Sequence, residues 1–156
     1  MTVVLGASLA SIALAAGGDP VPEPTKKPGT ERSSPSAEAR YNEGLALIKK
    51  HEWGAAEAAF RNAIALRKDF PEAWNELGHV LKRERRFEEA VAAYEEALRL
   101  RPDYAQALEY LGEAYVAMGK VDQARATLAK LEPLDAALGR QLAAVIDGNT
   151  RRASRW

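Results

Sequence analysis

The chain has 156 residues, with 22 Lys and Arg against 22 Asp and Glu, and no cysteine. The length suits one domain with tails, and 47% apolar with 28% charged residues is the mix of a soluble globular domain. The neutral balance removes the electrostatic footprint of a nucleic-acid binder. The missing cysteine excludes disulfides, thiolate metal sites and a cysteine nucleophile.

Residues 1–18, MTVVLGASLASIALAAGG, carry no charge. They are expected to be a secretory apolar segment with an A-x-A cleavage site at Ala13-Leu14-Ala15, or an uncleaved membrane anchor. The run is rich in Ala, Gly and Ser, hence weakly hydrophobic for a stable span. No Lys or Arg precedes it, so a cytosolic chain with an apolar N-terminus stays open as the alternative. Residues 19–36 hold five of the eight prolines and no apolar period, the pattern of an extended linker. A featureless processing remnant explains them equally well.

From Ala37 onward the periodicity is helical, and it repeats. Gly44, Gly78 and Gly112 lie 34 residues apart, as do Ala56, Ala90 and Ala124, and Ala39, Ala73 and Ala107, and Leu66, Leu100 and Leu134. Such a period marks a solenoid of stacked helix pairs. The fold class expected is all-α, with units at about 37–70, 71–104 and 105–133. In the central unit Trp74, Leu77, Gly78 and Leu81 share one helix face, and Ala90, Tyr94, Ala97 and Leu98 share another. Ser34-Pro35 is expected to start the first helix. Asp69 with Glu72, and Asp103 with Gln106, read as capping boxes at the joints. Trp53, Phe87 and Val121 are expected in the turns inside each unit. Glu95 and Arg99 are spaced for an i,i+4 pair.

A glycine inside a helix costs about 0.5–1 kcal/mol against alanine, so three at one phase need a reason. Close approach supplies one: Gly44, Gly78 and Gly112 are expected to face Ala56, Ala90 and Ala124. Phe60, Tyr94 and Leu128 would fill the space around each crossing, and Trp74 is expected to be buried. A stacked array leaves an apolar face at its end. A last helix over 134–147, with Leu134, Leu138, Leu142 and Val145 on one side, is expected to cover it. Asp147-Gly148 then reads as a stop, and residues 149–156 as a basic tail. The Ala37 end is left open to self-association.

The pattern W-x-x-L-G, A-x-x-x-Y-x-x-A, P over 34 residues resembles the tetratricopeptide repeat. Trp74, Leu77, Gly78, Leu81, Ala90, Tyr94, Ala97 and Pro102 carry it in the second unit. The first unit departs at Glu43 and Lys68, and the third closes early at Pro133. The resemblance implies a right-handed solenoid of three repeats plus a capping helix. It also implies a non-enzymatic scaffold that binds a protein or peptide segment in a concave groove lined by the first helix of each repeat. Carried over residue by residue, the groove candidates are Tyr41, Leu45, Ile48 and Lys49. Asn75, His79, Lys82 and Arg83 follow in the second unit, then Glu109, Glu113 and Val116 in the third. That groove is expected to be aromatic at one end, basic in the middle and acidic at the other. One subgroup of the family clamps an acidic chaperone C-terminus with Lys and Asn side chains. The equivalent positions here are Tyr41, Leu45, Glu76, Gln106 and Tyr110, which do not fit that ligand.

No residues are spaced as metal ligands, catalytic triad or phosphate loop, so no cofactor and no enzyme activity are expected. His51 reads as a solvated turn residue, and His79 as facing the groove. The basic run Lys82-Arg83-x-Arg85-Arg86 reads as a turn neutralised by its neighbours. The function expected is an interaction scaffold assisting complex assembly in the bacterial envelope or periplasm, touching membrane only through an uncleaved N-terminal segment. The alternative is a small cytosolic chaperone for a secreted or membrane substrate.

Overall fold

Seven helices succeed one another in the computed structural model, which describes residues 36–153 and their side chains to Asn149. They are α1 (Ala37–Lys49), α2 (Trp53–Leu66), α3 (Pro71–Arg83), α4 (Phe87–Leu100), α5 (Ala105–Ala117), α6 (Val121–Leu131) and α7 (Ala136–Ala153). The expectations for 1–18, for the linker up to residue 35 and for 154–156 lie outside the described residues. Helices α1 to α6 form three hairpins, and α7 packs on both α5 and α6. Among the described residues no helix is long and apolar enough to cross a membrane.

The helix starts differ from expectation. Ser36 caps α1, its hydroxyl accepting from Ala39 N at 3.1 Å, so the helix begins after the Ser34-Pro35 pair. Ala37 is already buried and fixes that register. The joints are not capping boxes. Phe70 and Tyr104 hold the N-cap positions of α3 and α5, with no side-chain cap bond. Burial decides this: Phe70 is drawn into the core, which leaves Asp69 and Asp103 one residue too early. Pro71 opens α3, where its missing N–H costs nothing.

The turns inside the hairpins are identical in backbone. Glu52 N donates to Leu47 O and His51 N to Ile48 O; Arg86 to Leu81, Arg85 to Lys82, Lys120 to Tyr115 and Gly119 to Val116 repeat the pattern. This is the helix-ending motif whose penultimate residue is left-handed. His51, Arg85 and Gly119 occupy it with φ of 60°, 65° and 74°. Trp53, Phe87 and Val121 are therefore not turn residues but the first residues of α2, α4 and α6.

The glycines mark close approach, though the nearest groups are not the expected alanines. A Cβ on Gly44 would stand 2.6 Å from the Phe60 ring, and one on Gly78 2.6 Å from the Tyr94 ring. In the third unit a Cβ on Gly112 would collide with Leu142 of α7, so the capping helix fills the space expected for Leu128. Ala56, Ala90 and Ala124 are wholly buried. Trp74 is only partly buried, with Nε1 donating to Lys68 O at 3.2 Å.

Two surface details also differ. Arg99 pairs with Glu96 (2.6 Å) instead of Glu95, whose carboxylate accepts from the Tyr115 hydroxyl at 3.0 Å. The apolar stripe of α7 runs through Leu138, Leu142 and Ile146, whereas Leu134 and Val145 stay exposed. Leu134 lies before the helix, and Val145 falls on its flank. Asp135 caps α7 by accepting from Ala137 N and Leu138 N, and the helix continues through Gly148.

Candidate functional site

Helices α1, α3 and α5 are the first members of their hairpins, and α3 reaches α5 directly. Their shared side carries the polar side chains that the core stripe does not use. Tyr41 lies 5.8 Å from the Phe60 ring and 5.0 Å from that of Phe70. Leu45 and Ile48 pack partly against the core, and Lys49 is exposed. Asn75 is wholly buried; its Nδ2 donates to Glu76 at 3.2 Å, while its Oδ1 has no partner. His79 sits 5.4 Å from the Tyr110 ring with Nδ1 unpartnered. Burial, with Lys82 and Arg83 nearby, lowers its pKa, and Glu113 opposes this.

The expected basic middle is dispersed. Lys82 forms an ion pair with Glu113 and stands 4.6 Å above the Tyr110 ring. Arg83 is turned to the Trp53 ring, 5.1 Å away. Arg86 binds Glu57 (2.7 Å), Glu84 (3.1 Å) and Glu89 (2.7 Å) on the other side. Glu109 is buried; desolvation and then Glu113 raise its pKa, while Lys82 opposes. Val116 is buried and shares a shallow cleft with Ala144, Val145 and Gly148 of α7.

Three residues matter here that the sequence did not place in the groove. Glu76 is desolvated, which raises its pKa, and Asn75 opposes this with its hydrogen bond. Burial and the Glu76 charge together raise the hydroxyl pKa of Tyr104 to about 12, and both act in the same direction on Tyr110. Burial followed by Glu76 also raises Tyr41. Glu76 and Tyr110 are also the residues that mismatch an acidic-peptide clamp. Tyr104 lies between helices, where no period applies; its one signal is that it stands 34 residues after the aromatic Phe70.

Models of the tetratricopeptide repeat match residues 41–84 and 81–146. The chain belongs to the tetratricopeptide repeat family. Its three repeats and capping helix form the solenoid expected of that family. Similar solved structures include the TPR2B domain of yeast Sti1 in its pHsp70 complex, at 21% identity and a TM-score of 0.69, covering 74% of this chain and 97% of that one. The first TPR of Spaghetti (RPAP3) bound to the HSP90 peptide SRMEEVD is similar at 16% identity and 0.68, covering 72% and 92%. The MamA protein is similar at 32% identity and 0.62, covering 64% of this chain and 55% of its own. A search of the curated proteins found no match.

Among the described residues no group of three or more His, Asp or Glu side chains stands ready to hold a metal ion. A cleft of about 410 Å³ is on the opposite side, lined by Trp74, Leu77, Leu81, Ala92, Ala93 and charged neighbours. Its counterpart one repeat on is lined by Leu108, Leu111, Tyr115, Ala126 and Thr127 among others. The charged groups of the first cleft are already paired: Arg61 and Arg86 with Glu89, and Arg99 with Glu96.

Proposed function

We propose that this protein is an interaction module that docks an extended segment of another protein in the groove of α1, α3 and α5. The observation that carries the proposal is the contrast between its two sides. The first outer cleft presents charges that already have partners. The inner face presents Glu76, which among the described residues has no ion pair, beside the partly buried Tyr41, Tyr104 and Tyr110. An unpaired carboxylate beside aromatic side chains on a rigid helical surface favours a ligand that pairs with them. Similar repeat domains of Sti1 and Spaghetti hold chaperone segments, which supports the docking mode. Their acidic ligand class does not transfer, because Tyr41, Leu45, Glu76, Gln106 and Tyr110 stand where a clamp needs cations and amides.

Such a module assists complex assembly, and the uncharged run 1–18 favours the bacterial envelope as its place. The small cytosolic chaperone remains the second reading. A photo-crosslinking amino acid at Leu45, on the inner side, is expected to capture a partner, and one at Ala92, on the outer side, is not. Capture from Ala92 alone would overturn the groove. Fractionation of the full chain decides the compartment: recovery with Met1 in the cytosol removes the envelope reading.

A further inference from the structure

The three hairpin turns lie along one edge of the solenoid. Arg83, at the end of α3, stands 5.1 Å over the half-buried Trp53 ring that opens α2, and Arg86 pairs with Glu57 of α2. Stacked hairpins set successive turns roughly 8–10 Å apart. Two cations of the basic run at 82–86 are neutralised, Lys82 by Glu113, and Arg86 by Glu57, Glu84 and Glu89. Lys49, Lys50, Arg83, Arg85 and Lys120 are exposed on the same edge, and among the described residues none of them has an ion pair. Within the turns Glu52 is the one carboxylate left to oppose them.

The turn tips carry a second mark. His51 and Arg85 hold φ of 60° and 65°, where an L-residue is strained and the third tip, Gly119, is not. At Arg85 the strained residue is an exposed cation whose side chain, among the described residues, has no hydrogen bond or ion pair. Strain kept at an exposed position with no packing role points to a task outside the fold. The opposite edge, where each hairpin passes to the next, has the other sign. Asp69, Asp103 and Glu132 are exposed there and among the described residues have no ion pair; Lys68 is the one such cation beside them. Arg67 and Arg101 on that edge are tied to Glu38 and Glu72. A 13-residue helix separates the two edges by about 20 Å. The neutral chain thus has its free charge sorted across its width, and a charged surface orients it.

We propose that the hairpin-turn edge rests on an anionic lipid surface, with Lys49, Lys50, Arg83, Arg85 and Lys120 against the headgroups. The cations project from three separate turns, so they suit charge spread over a plane better than a segment seated at one point. Each lysine or arginine near such a surface adds to the attraction, and a half-buried tryptophan among them is the amphipathic ring that membrane–water interfaces favour. With the turns on the lipid the helices stand upright. The side formed by α1, α3 and α5 then stays open to a protein partner, so the lipid contact neither needs nor blocks the groove.

The chain has no cysteine, so a single introduced one places a polarity-sensitive dye on the full chain. Ala117→Cys at the turn edge and Ala136→Cys at the opposite edge both replace exposed alanines. Titrated with vesicles of phosphatidylcholine and phosphatidylglycerol in equal parts, the dye at 117 is expected to brighten and the dye at 136 is not. The response weakens with added salt and is absent with phosphatidylcholine alone. Lys50→Gln, Arg85→Gln and Lys120→Gln together are expected to weaken it about a hundredfold, about fivefold for each cation. Lys68→Gln, Lys130→Gln and Arg140→Gln together remove the same charge toward the other edge and leave it unchanged. Both triple variants replace exposed side chains and melt with the parent, which separates lipid contact from folding. The dye reads the edge itself, so attachment of the chain by residues 1–18 does not imitate the signal. No brightening at 117, equal brightening at 136 or on phosphatidylcholine alone, or equal loss in the two triple variants overturns the proposal. Brightening by an oligoglutamate peptide and not by the anionic vesicles gives the edge to an acidic protein segment, and overturns it as well.

Discussion

Arg101, just past the end of α4, closes an ion pair on Glu72 in the first turn of α3. Arg67 does the same to Glu38 one repeat earlier. Each pair ties the exit of a hairpin to its entrance, and each arginine also covers the aromatic residue that opens the next helix. The third repeat has Gln106 and Asp135 at these phases. Asp135 instead caps α7, so the tie is replaced by the start of the capping helix. Burial works against the Glu72 charge, but the Arg101 hydrogen bond and charge win and hold its carboxyl below the usual range. A lowered folded value means that this stability is present above the ordinary glutamate pKa and is lost as pH falls through the folded one. Melting temperature is therefore expected to drop from about pH 5 downward. Glu72→Gln should cost up to about 1 kcal/mol at pH 7, as partly exposed pairs do, and flatten that acid slope. An unchanged slope in thermal melts across pH would show that the tie is not stabilising.

The left-handed turn position carries a different prediction. Arg85 and His51 hold a conformation that costs an L-residue roughly 1–2 kcal/mol, while Gly119 adopts it freely. Glycine's greater freedom when unfolded returns part of this. Arg85→Gly is expected to stabilise by about 0.5–1 kcal/mol, and Gly119→Ala to destabilise by about 1 kcal/mol. Chemical denaturation midpoints of the two variants must move in opposite directions.

The hairpins, their ends to within a few residues, and the buried Ala56, Ala90, Phe60 and Tyr94 were legible because a 34-residue period states which residues share a phase. It does not state which of two adjacent polar residues goes inside. Asn75 and Glu76 are neighbours on α3, yet the first is wholly buried and the second partly exposed. That difference is set by packing between helices, which no single-helix pattern contains. Lys82 looked like part of a basic run because its partner Glu113 lies on the next repeat. The joints misled for a related reason: local capping chemistry at Asp69 and Asp103 lost to the burial of aromatic Phe70 and the placement of Tyr104. The groove was thus legible as a surface, but its charge pattern was not.

Tyr94 and Gly78 make a matched pair. Among the described residues the buried Tyr94 hydroxyl finds no hydrogen-bond partner, and burial raises its pKa far above the tyrosine range. Phe60 fills the equivalent place against Gly44. Tyr94→Phe is therefore expected to melt as the parent or to gain about 1 kcal/mol. Gly78→Ala puts a methyl group 2.6 Å from a ring with no room to retreat. It should lose about 1–3 kcal/mol despite its better helix propensity. Gly148→Ala in α7, with nothing within 4 Å, should gain about 0.5–1 kcal/mol. A Gly78→Ala variant as stable as the parent would refute the close-approach argument.

The capping helix is tested by two residues three positions apart. Leu142 is wholly buried and sits over Gly112, whereas Val145 is 38% exposed. Leu142→Ala removes the side chain that covers the third repeat and should cost about 2–5 kcal/mol. Val145→Ala should stay within about 0.5 kcal/mol, as exposed substitutions do. In a stacked array each repeat contacts only its neighbours, so loss at the cap propagates from that end. Hydrogen exchange in Leu142→Ala should therefore rise first in α5 and α6 and last in α1 and α2. Uniform loss of protection along the chain would mean that the repeats unfold as one unit and that α7 is not a local cover.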